Sequence, residues 1–290
     1  MTLSREIKAK ITSVEKIQKL TKAMQNVAAS KMRRAKQCML ASMPYATKIR
    51  EVVKHFTSID SSVEHPYLRK SDQLNKVGYI VVSTDRGLCG GLNLNLFKLV
   101  LQHAQSFKKQ GVEVEWCLFG KKAEGFFKHN YANISAHINE LGESPKVEDL
   151  LGAVKVMLDG YKDKRIDRLF LVYNEFISTI YQNPVVYQLL PLAKDETSDN
   201  FNGDYIYEPS AQYYMLLDTV VTRYLEAQIY QSVVDNMACE QVARMVAMQN
   251  ATDNSKAIID ELKNIYNKAR QSSITNEIAE IIGGADAVCV

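Results

Sequence analysis

The longest repeating pattern of apolar and polar residues lies in the last third of the chain. Residues 210–282 form a stretch of 73 residues without Gly or Pro, bounded by Pro209 and by Gly283-Gly284. Apolar residues recur every three or four positions, which predicts one helix roughly 110 Å long at 1.5 Å per residue. Charged residues recur throughout, so the stretch lacks the apolar run of a membrane span. A helix of this length is typical of a coiled coil and needs a partner.

The start of the chain predicts that partner. Residues 2–43 also lack Gly and Pro, and a weaker pattern continues past Pro44, a candidate kink. We expect a first helix of about 50 residues, antiparallel to the last one and shorter by about 20 residues, so that roughly 30 Å of the last helix is free to project. The stripe expected to face the partner comprises Ile7, Ile11, Val14, Ile17, Met24 and Ala28 on the first helix, and Ile258, Leu262, Ile265 and Ala269 on the last.

The middle of the chain has a different character. Short runs rich in β-formers alternate with amphipathic segments, which favours a mainly parallel sheet with helices on its faces. Pro184 lies in the last run and places part of it at a sheet edge. The predicted strands are 77–82, 112–119, 134–138, 168–173 and one or two within 177–190, and the predicted helices are 95–110, 121–129 and 147–161.

The predicted fold class is therefore α/β, with a long antiparallel coiled coil of the N- and C-terminal helices plus a central Rossmann-like α/β domain. We expect an N-terminal coiled-coil helix at 1–58, a linker at 59–76, the central α/β domain at 77–208 and a C-terminal coiled-coil helix at 209–290.

Charge is distributed unevenly along the chain. The net charge is only +3, but residues 1–50 hold 12 Lys and Arg against 2 acidic residues, and residues 210–282 hold 6 against 9. The basic first segment, including Lys31, Arg33, Arg34 and Lys36, is compatible with nucleic-acid binding. It also lacks aromatic residues for base stacking, and an acidic protein partner explains it equally well. A nucleic-acid-binding coiled-coil protein is thus an alternative hypothesis.

The five cysteines are scattered singly, with no CxxC spacing or histidine cluster. Neither a zinc site nor a disulfide framework is predicted. The N-terminus has no apolar region of the signal-peptide kind, so we expect a reducing, cytosol-facing compartment.

The glycine-rich segment 83–93 is the obvious candidate for chemistry. A strand followed by a loop with Gly87, Gly90 and Gly91, and then a helix, is a layout that binds phosphates. The segment lacks the Lys-Ser or Lys-Thr of the phosphate-binding loop and the G-x-G-x-x-G fingerprint, so a tight turn that requires positive φ is favoured. We expect no catalytic residue, cofactor or metal. A small-molecule enzyme built on the α/β domain is a further alternative.

Alanine and methionine are frequent on both terminal helices, which allows close helix packing and an adaptable surface. Near the end of the last helix the coiled-coil stripe weakens, and isoleucines replace it at positions 274, 278, 281 and 282. If this end projects, its isoleucines need a pocket on another protein.

Three stretches together resemble one family. They are 17–31 (IQKLTKAMQNVAASK), 83–93 (STDRGLCGGLN) and 240–287 (EQVARMVAMQNATDN…YNKARQSSITNEIAEIIGGADA). The chain resembles the gamma subunit of the F-type, proton-translocating ATP synthase in its bacterial form. The resemblance implies a non-catalytic, central-stalk rotor subunit that couples proton flow to ATP synthesis or hydrolysis on the beta subunits.

The resemblance also implies partners and contact residues. The expected partners are the hexamer of alpha and beta subunits, the epsilon subunit and the c ring, with one copy of the chain per complex at the cytoplasmic face of a bacterial inner membrane. The segment with a regulatory cysteine pair found in chloroplast-type members is absent, so thiol control is not expected. The implied contact residues are Met24, Cys89, Arg244, Gln271 and Thr275 toward the hexamer, and Tyr205 and Tyr207 toward the c ring and epsilon.

Overall fold

A computed structural model describes residues 2–59, 65–69, 74–129, 133–142, 145–192 and 213–288. The chain divides into two compact units, which we describe separately. The helical unit contains Met1–Ala29 and Arg244–Val290, and the sheet unit contains Ser30–Ala243.

In the described residues five α-helices and five strands follow the order predicted from the sequence. The helices are α1 Thr2–Ile59, α2 Leu92–Lys108, α3 Lys121–Phe127, α4 Val147–Lys162 and α5 Tyr213–Val288. The strands are β1 Lys76–Val82, β2 Glu113–Phe119, β3 Ile134–Ile138, β4 Arg168–Phe176 and β5 Gln182–Leu190, and a 3₁₀ turn spans Pro66–Leu68.

Both terminal helices continue past residues that commonly interrupt a helix. Helix α1 passes through Pro44 and continues to Ile59. Helix α5 passes through Gly283 and Gly284. A glycine costs a helix only about 1 kcal/mol relative to alanine, which is too little to stop a helix already formed over many turns.

The sheet is mixed, with strand order β3-β2-β1-β4-β5. The first four strands are parallel, and β5 pairs antiparallel with β4 at one edge. Pro184 lies on that edge strand, opposite Asn174, as its missing N–H donor predicted.

Each face of the sheet carries its own apolar core, because successive strand residues point to opposite faces. On one face Ile80 and Val82 pack with residues of α4 and α5, including Met157 and Tyr224. On the other face Tyr79 joins a core with α2 and α3. There its ring stacks on Trp116 at 5.0 Å and on Phe170 at 5.3 Å between centroids.

Helices α1 and α5 pack antiparallel in the helical unit. The hydroxyls of Thr21 and Thr252 are 2.8 Å apart, and four residues further along α1 Gln25 bonds Gln249, three residues back along α5. Antiparallel packing of the terminal helices, predicted from the sequence, is therefore confirmed.

The predicted stripe is wrong in detail. The covered positions on α1 follow a strict 3.5-residue repeat that includes Thr21 and Ala28, whereas Ile17 is 50% exposed. On α5 Ile259 is buried, and Ile258 and Ile265 are exposed instead. A coiled coil keeps one face toward its partner only at 3.5 residues per turn, so polar residues at those positions lie inside and apolar residues between them lie outside.

The same two helices also pack against each other in the sheet unit. Ala35 and Met39 form a small cluster with Val234 and Ala238. The Ser42 hydroxyl donates to Gln231 Oε1 at 2.7 Å. Small residues bring the helix backbones close in this part of the chain.

Candidate functional site

The glycine-rich segment forms the turn between β1 and α2. Gly90 is left-handed with φ 58°, and Gly91 is the residue preceding the first turn of α2. The tight-turn prediction is thus confirmed at Gly90, whereas Gly87 and Gly91 do not adopt positive φ. The turn is held internally, because Asn93 Nδ2 donates to Thr84 Oγ1 at 2.7 Å.

Cys89 lies inside this turn. Its side chain is buried in a cluster with Leu92 and Cys239, against which Phe176 and Ala243 also pack. Asn93 Nδ2 donates to Cys89 Sγ at 3.5 Å. Burial raises the pKa of the Cys239 thiol above its usual range. Both thiols are therefore structural components of the sheet unit, and the loop reaches solvent through other side chains.

Leu88 is a large apolar residue that the turn presents to solvent. It is 60% exposed and has φ 64°, a conformation that costs an L-residue about 1–2 kcal/mol. A large apolar side chain that is both exposed and strained is better explained by contact with another molecule than by the stability of this chain. Sequence reasoning missed Leu88, because nothing in the sequence distinguishes it from an ordinary buried leucine.

A second apolar face runs along α1 of the helical unit. Ile17, Leu20 and Val27 are each at least half exposed, and Met24 lies half-buried between them in sequence. Their spacing of three, four and three residues places all four on one side of the helix. Met24, implied as a contact residue, therefore shares an exposed apolar stripe.

The last turns of α5 carry a similar surface. Gln271 and Thr275 are both exposed, and the Thr275 hydroxyl donates to the Gln271 carbonyl at 2.9 Å. The four isoleucines of this segment are also exposed, with Ile281 at 72%. They are Ile274, Ile278, Ile281 and Ile282.

Arg244 differs from these residues, because only 9% of its surface is exposed. Tyr205 and Tyr207 lie outside the described residues. Met24 thus lies in an outward apolar stripe, and Gln271 and Thr275 lie at the exposed end of α5. Cys89 and Arg244 are buried.

One lysine of the basic segment of α1 contacts an aromatic ring within the sheet unit. Lys36 Nζ lies 5.8 Å from the centre of the Phe176 ring, a cation–π distance. Arg33 and Arg34 are exposed. This surface offers charge without an aromatic platform of the kind that stacks nucleotide bases.

A polar cleft of about 190 Å³ lies between α1, α5 and the β4–β5 pair. Arg50, Glu175 and Asp235 contribute its charged groups. Burial raises the pKa of Asp235 to about 6, an effect that Glu175 increases and a hydrogen bond from Gln231 opposes. The cleft has carboxyl and guanidinium groups but no nucleophile paired with a base among its lining residues.

Over the described ranges no three His, Cys, Asp or Glu side chains are grouped so as to hold a metal ion. In the same part of the chain no helix is both long and apolar enough to cross a membrane.

Solved structures with the same fold include subunits of mitochondrial ATP synthases. The rotor of the Euglena gracilis mitochondrial ATP synthase, in rotational state 1, matches with a TM-score of 0.63 and 19% identity over 94% of this chain and 99% of that one. A chain of the OSCP/F1/c-ring structure from the same organism, in rotational state 3, matches with a TM-score of 0.69 and 19% identity over 99% and 95%. The central stalk/c-ring structure of the Tetrahymena thermophila mitochondrial enzyme gives a TM-score of 0.58 and 20% identity over 80% and 99%.

The fold is therefore that of the central-stalk class. A family model described as ATP synthase matches residues 4–288, so the chain belongs to the ATP synthase family. Its function in that family is that of the gamma subunit, the non-catalytic rotor subunit of the central stalk.

Proposed function

We propose that this rotor subunit is of the bacterial form and turns inside a hexamer of alpha and beta subunits, with its α/β domain contacting the epsilon subunit and the c ring. The bacterial assignment is supported by the three motif stretches at 17–31, 83–93 and 240–287. In this arrangement one copy serves each complex and lies at the cytoplasmic face of the inner membrane through the c ring. We also propose that the domains of the chain end at residues 58, 76 and 208, as the sequence predicts.

The observation that carries the proposal is the second apolar face of the helical unit. Pairing of α1 with α5 covers residues such as Ala28 and Ile259 and leaves Ile17, Leu20 and Val27 outside. Exposed apolar stripes of this kind mark contacts with other proteins. A helix pair enclosed by a ring of subunits needs apolar side chains on its outside as well as at its seam.

The contact residues follow from this face. Met24 belongs to the α1 stripe, and Gln271 and Thr275 belong to the isoleucine-rich end of α5. Cys89 is proposed to act through its loop, with Leu88 as the side chain that reaches a beta subunit. Arg244 would contact the hexamer through its exposed edge. Tyr205 and Tyr207 are proposed for the c ring and epsilon on the motif resemblance alone.

The partners named in the matched structures support the assembly. The Euglena gracilis structure contains F1 and a c ring, and the Tetrahymena thermophila structure contains a central stalk and a c ring. A subunit with the same fold in a bacterial enzyme would contact the equivalent subunits.

Cross-linking mass spectrometry of the native complex tests the assignment. Lys263 and Lys268 are exposed on α5 just before the isoleucine-rich end. We expect these lysines to cross-link to alpha and beta subunits, and lysines of the sheet unit to cross-link to epsilon. Cross-links from Lys263 and Lys268 confined to epsilon or c subunits would contradict the proposal.

A binding measurement tests the apolar end directly. The double substitution Ile278→Ser and Ile281→Ser should leave the thermal unfolding of the chain unchanged, because both residues are exposed. It should weaken binding to an alpha–beta hexamer about a hundredfold or more, since each buried isoleucine contributes about 1.5–3 kcal/mol. The control is Asn276→Ser in the same exposed segment, which should bind normally. Equal affinity of the double variant and the control would show that these isoleucines do not contact the hexamer.

The alternative hypotheses have their own tests. A gel-shift titration with nucleic acid at several salt concentrations should show no specific complex, whereas steep salt dependence of a stable one would favour nucleic-acid binding by Arg33 and Arg34. Calorimetry with nucleotides should show no binding heat. The purified chain should hydrolyse no ATP.

A further inference from the structure

A buried polar network joins α5 to two strand ends in the sheet unit. Asn174 Nδ2, near the end of β4, donates to Asn236 Oδ1 on α5 at 2.8 Å. Asn236 Nδ2 donates to the Ser83 carbonyl, just after β1, at 3.2 Å. One turn further along α5, Cys239 Sγ donates to the Asn174 carbonyl at 3.4 Å. One helix is thus bonded to two adjacent strands at the same end of the sheet.

The network is fully inside the protein. Asn174 and Asn236 are each only 1% exposed, and Cys239 is completely buried. Because the Ser83 carbonyl can only accept, the Asn236 amide must direct its nitrogen toward Ser83 and its oxygen toward Asn174. The orientation of the Asn236 amide is therefore determined by its surroundings.

Most of the surrounding contacts between α5 and the sheet are apolar, apart from a hydrogen bond between the hydroxyls of Tyr224 and Tyr187 at 3.1 Å. Leu217, Val221, Leu225, Ile229 and Val233 pack in the core on this face of the sheet. Apolar burial resists separation of the helix from the sheet, but it is non-directional and changes little when a helix turns by a few degrees about its axis. Buried amide bonds behave differently, because a small rotation leaves donors and acceptors unpaired in a dry interior.

We infer that Asn174 and Asn236 are positioning residues that fix the rotational register of α5 against the sheet. The helix and the α/β domain therefore rotate together when torque passes between them. Single buried polar residues set register in helical assemblies in the same way, at little or no gain in stability. The same bonds hold Ser83, the first residue of the loop that contains Leu88 and Cys89. The register of the helix and the position of the loop are therefore set together.

The experiment measures torsional stiffness in the assembled complex. The hexamer is fixed to a surface, a bead is attached to the sheet unit, and the angular fluctuation of the bead is recorded while rotation is stalled. In the double variant Asn174→Leu and Asn236→Leu, apolar side chains of similar size replace both amides but the Ser83 carbonyl loses its donor, so the melting temperature should fall modestly. Its angular variance should rise about twofold or more, because the directional bonds that select one register are removed.

Two further variants separate register from folding. Asn174→Ala removes the bond between Asn174 and Asn236 but keeps the bond from Asn236 to the Ser83 carbonyl, so its variance should lie between those of the natural chain and the double variant. Ser42→Ala removes the bond to Gln231 between α1 and α5 and leaves the strand bonds intact, so it should retain the natural variance.

Each outcome bears on the inference. An increased variance in the double variant, together with the natural variance in Ser42→Ala, supports it. If the double variant does not assemble, Asn174→Ala decides by the same measurement. A natural variance in the variant that decides, or an equal increase in Ser42→Ala, overturns the inference.

Discussion

The hydroxyl oxygens of Thr21 and Thr252 lie 2.8 Å apart across the seam of the helical unit. Each hydroxyl oxygen is also within hydrogen-bond distance of a carbonyl of its own helix, Thr21 of Gln18 at 3.0 Å and Thr252 of Met248 at 2.8 Å. Because a hydroxyl carries one proton, one threonine donates across the seam and the other donates to its own helix. A threonine pair thus occupies a seam position that an apolar residue usually fills. The helix pair is specified by a polar contact as well as by apolar packing.

The first prediction concerns this pair. Thr21→Val alone should lower the free energy of unfolding by about 1 kcal/mol, because it leaves Thr252 with one partner fewer. The double variant Thr21→Val and Thr252→Val should regain most of that loss, since both polar partners are replaced by apolar groups of the same shape. Denaturant unfolding of the four chains gives the coupling energy as a double-mutant cycle. Strictly additive effects would show that the hydroxyls do not interact.

The second prediction concerns Asp235 and pH. Burial raises the pKa of this carboxyl to about 6, so the folded chain holds its proton to higher pH than the unfolded chain does. The resulting stability is present in acid and is lost as pH rises through about 6. Asp235→Asn should therefore be more stable than the natural chain at pH 7.5, by about 1–2 kcal/mol. The gain should vanish near pH 4. Unfolding measured at both pH values checks the sign.

The third prediction concerns His65, whose pKa shift has the opposite sign. The His65 side chain is completely buried, and burial lowers its pKa despite the nearby Asp218. Its Nδ1 accepts the Tyr67 N–H at 3.3 Å, so a proton on that nitrogen would face another donor. Stability from the neutral ring is therefore lost as pH falls below the ordinary histidine range. His65→Gln should be less stable at pH 7.5 and show a weaker decline toward pH 5.

The fourth prediction compares Gly120, which precedes α3, with Gly125, which lies inside it. Gly120 has φ 92°, and a Cβ there would lie 2.8 Å from Ser83 Oγ and 2.9 Å from the Ser83 carbonyl. Gly120→Ala should cost about 2 kcal/mol or more through strain and overpacking. Gly125 lies in α3 with nothing within 4 Å of an added Cβ, so Gly125→Ala should stabilise by about 0.5–1 kcal/mol. Thermal unfolding of both variants tests the contrast.

The fifth prediction separates the stability of Leu88 from its function. Leu88→Gly should raise the free energy of unfolding by about 0.5–1 kcal/mol, because glycine adopts positive φ without strain. The same change should lower ATP hydrolysis by the assembled complex, since the exposed leucine side chain is lost. Leu88→Ala is the matched control, because it also removes the side chain but keeps the strain. Full activity in both variants would mean that the loop does not contact a catalytic partner.

The sequence predicted most of the secondary structure. The alternation of β-rich runs and amphipathic helices placed β3 within its observed bounds and the other strands within a few residues, because local propensity and periodicity decide where elements form. Pro184 alone was enough to predict the edge strand, because proline has no backbone N–H donor. The unbroken stretch 210–282 indicated α5, although its true end lies beyond the two glycines.

The choice of inward-facing residues was less accurate. Ile17, Ile258 and Ile265 are as apolar as their neighbours, yet the structure exposes them and covers Thr21, Ile259 and Tyr266 instead. A spacing of three or four residues is compatible with two adjacent faces of one helix. Only the partner helix determines which face forms the seam.

The sequence by itself determined the helical character of both ends, the α/β middle and the motifs that resemble one family, because these depend on neighbours along the chain. The tertiary structure alone decided that Cys89 is covered, that Leu88 is presented in a left-handed turn, and that Asn174, Asn236 and Ser83 meet. Asn174 and Ser83 are separated from Asn236 by 62 and 153 residues. Contacts over such distances depend on packing of the sheet against α5, which no local pattern encodes.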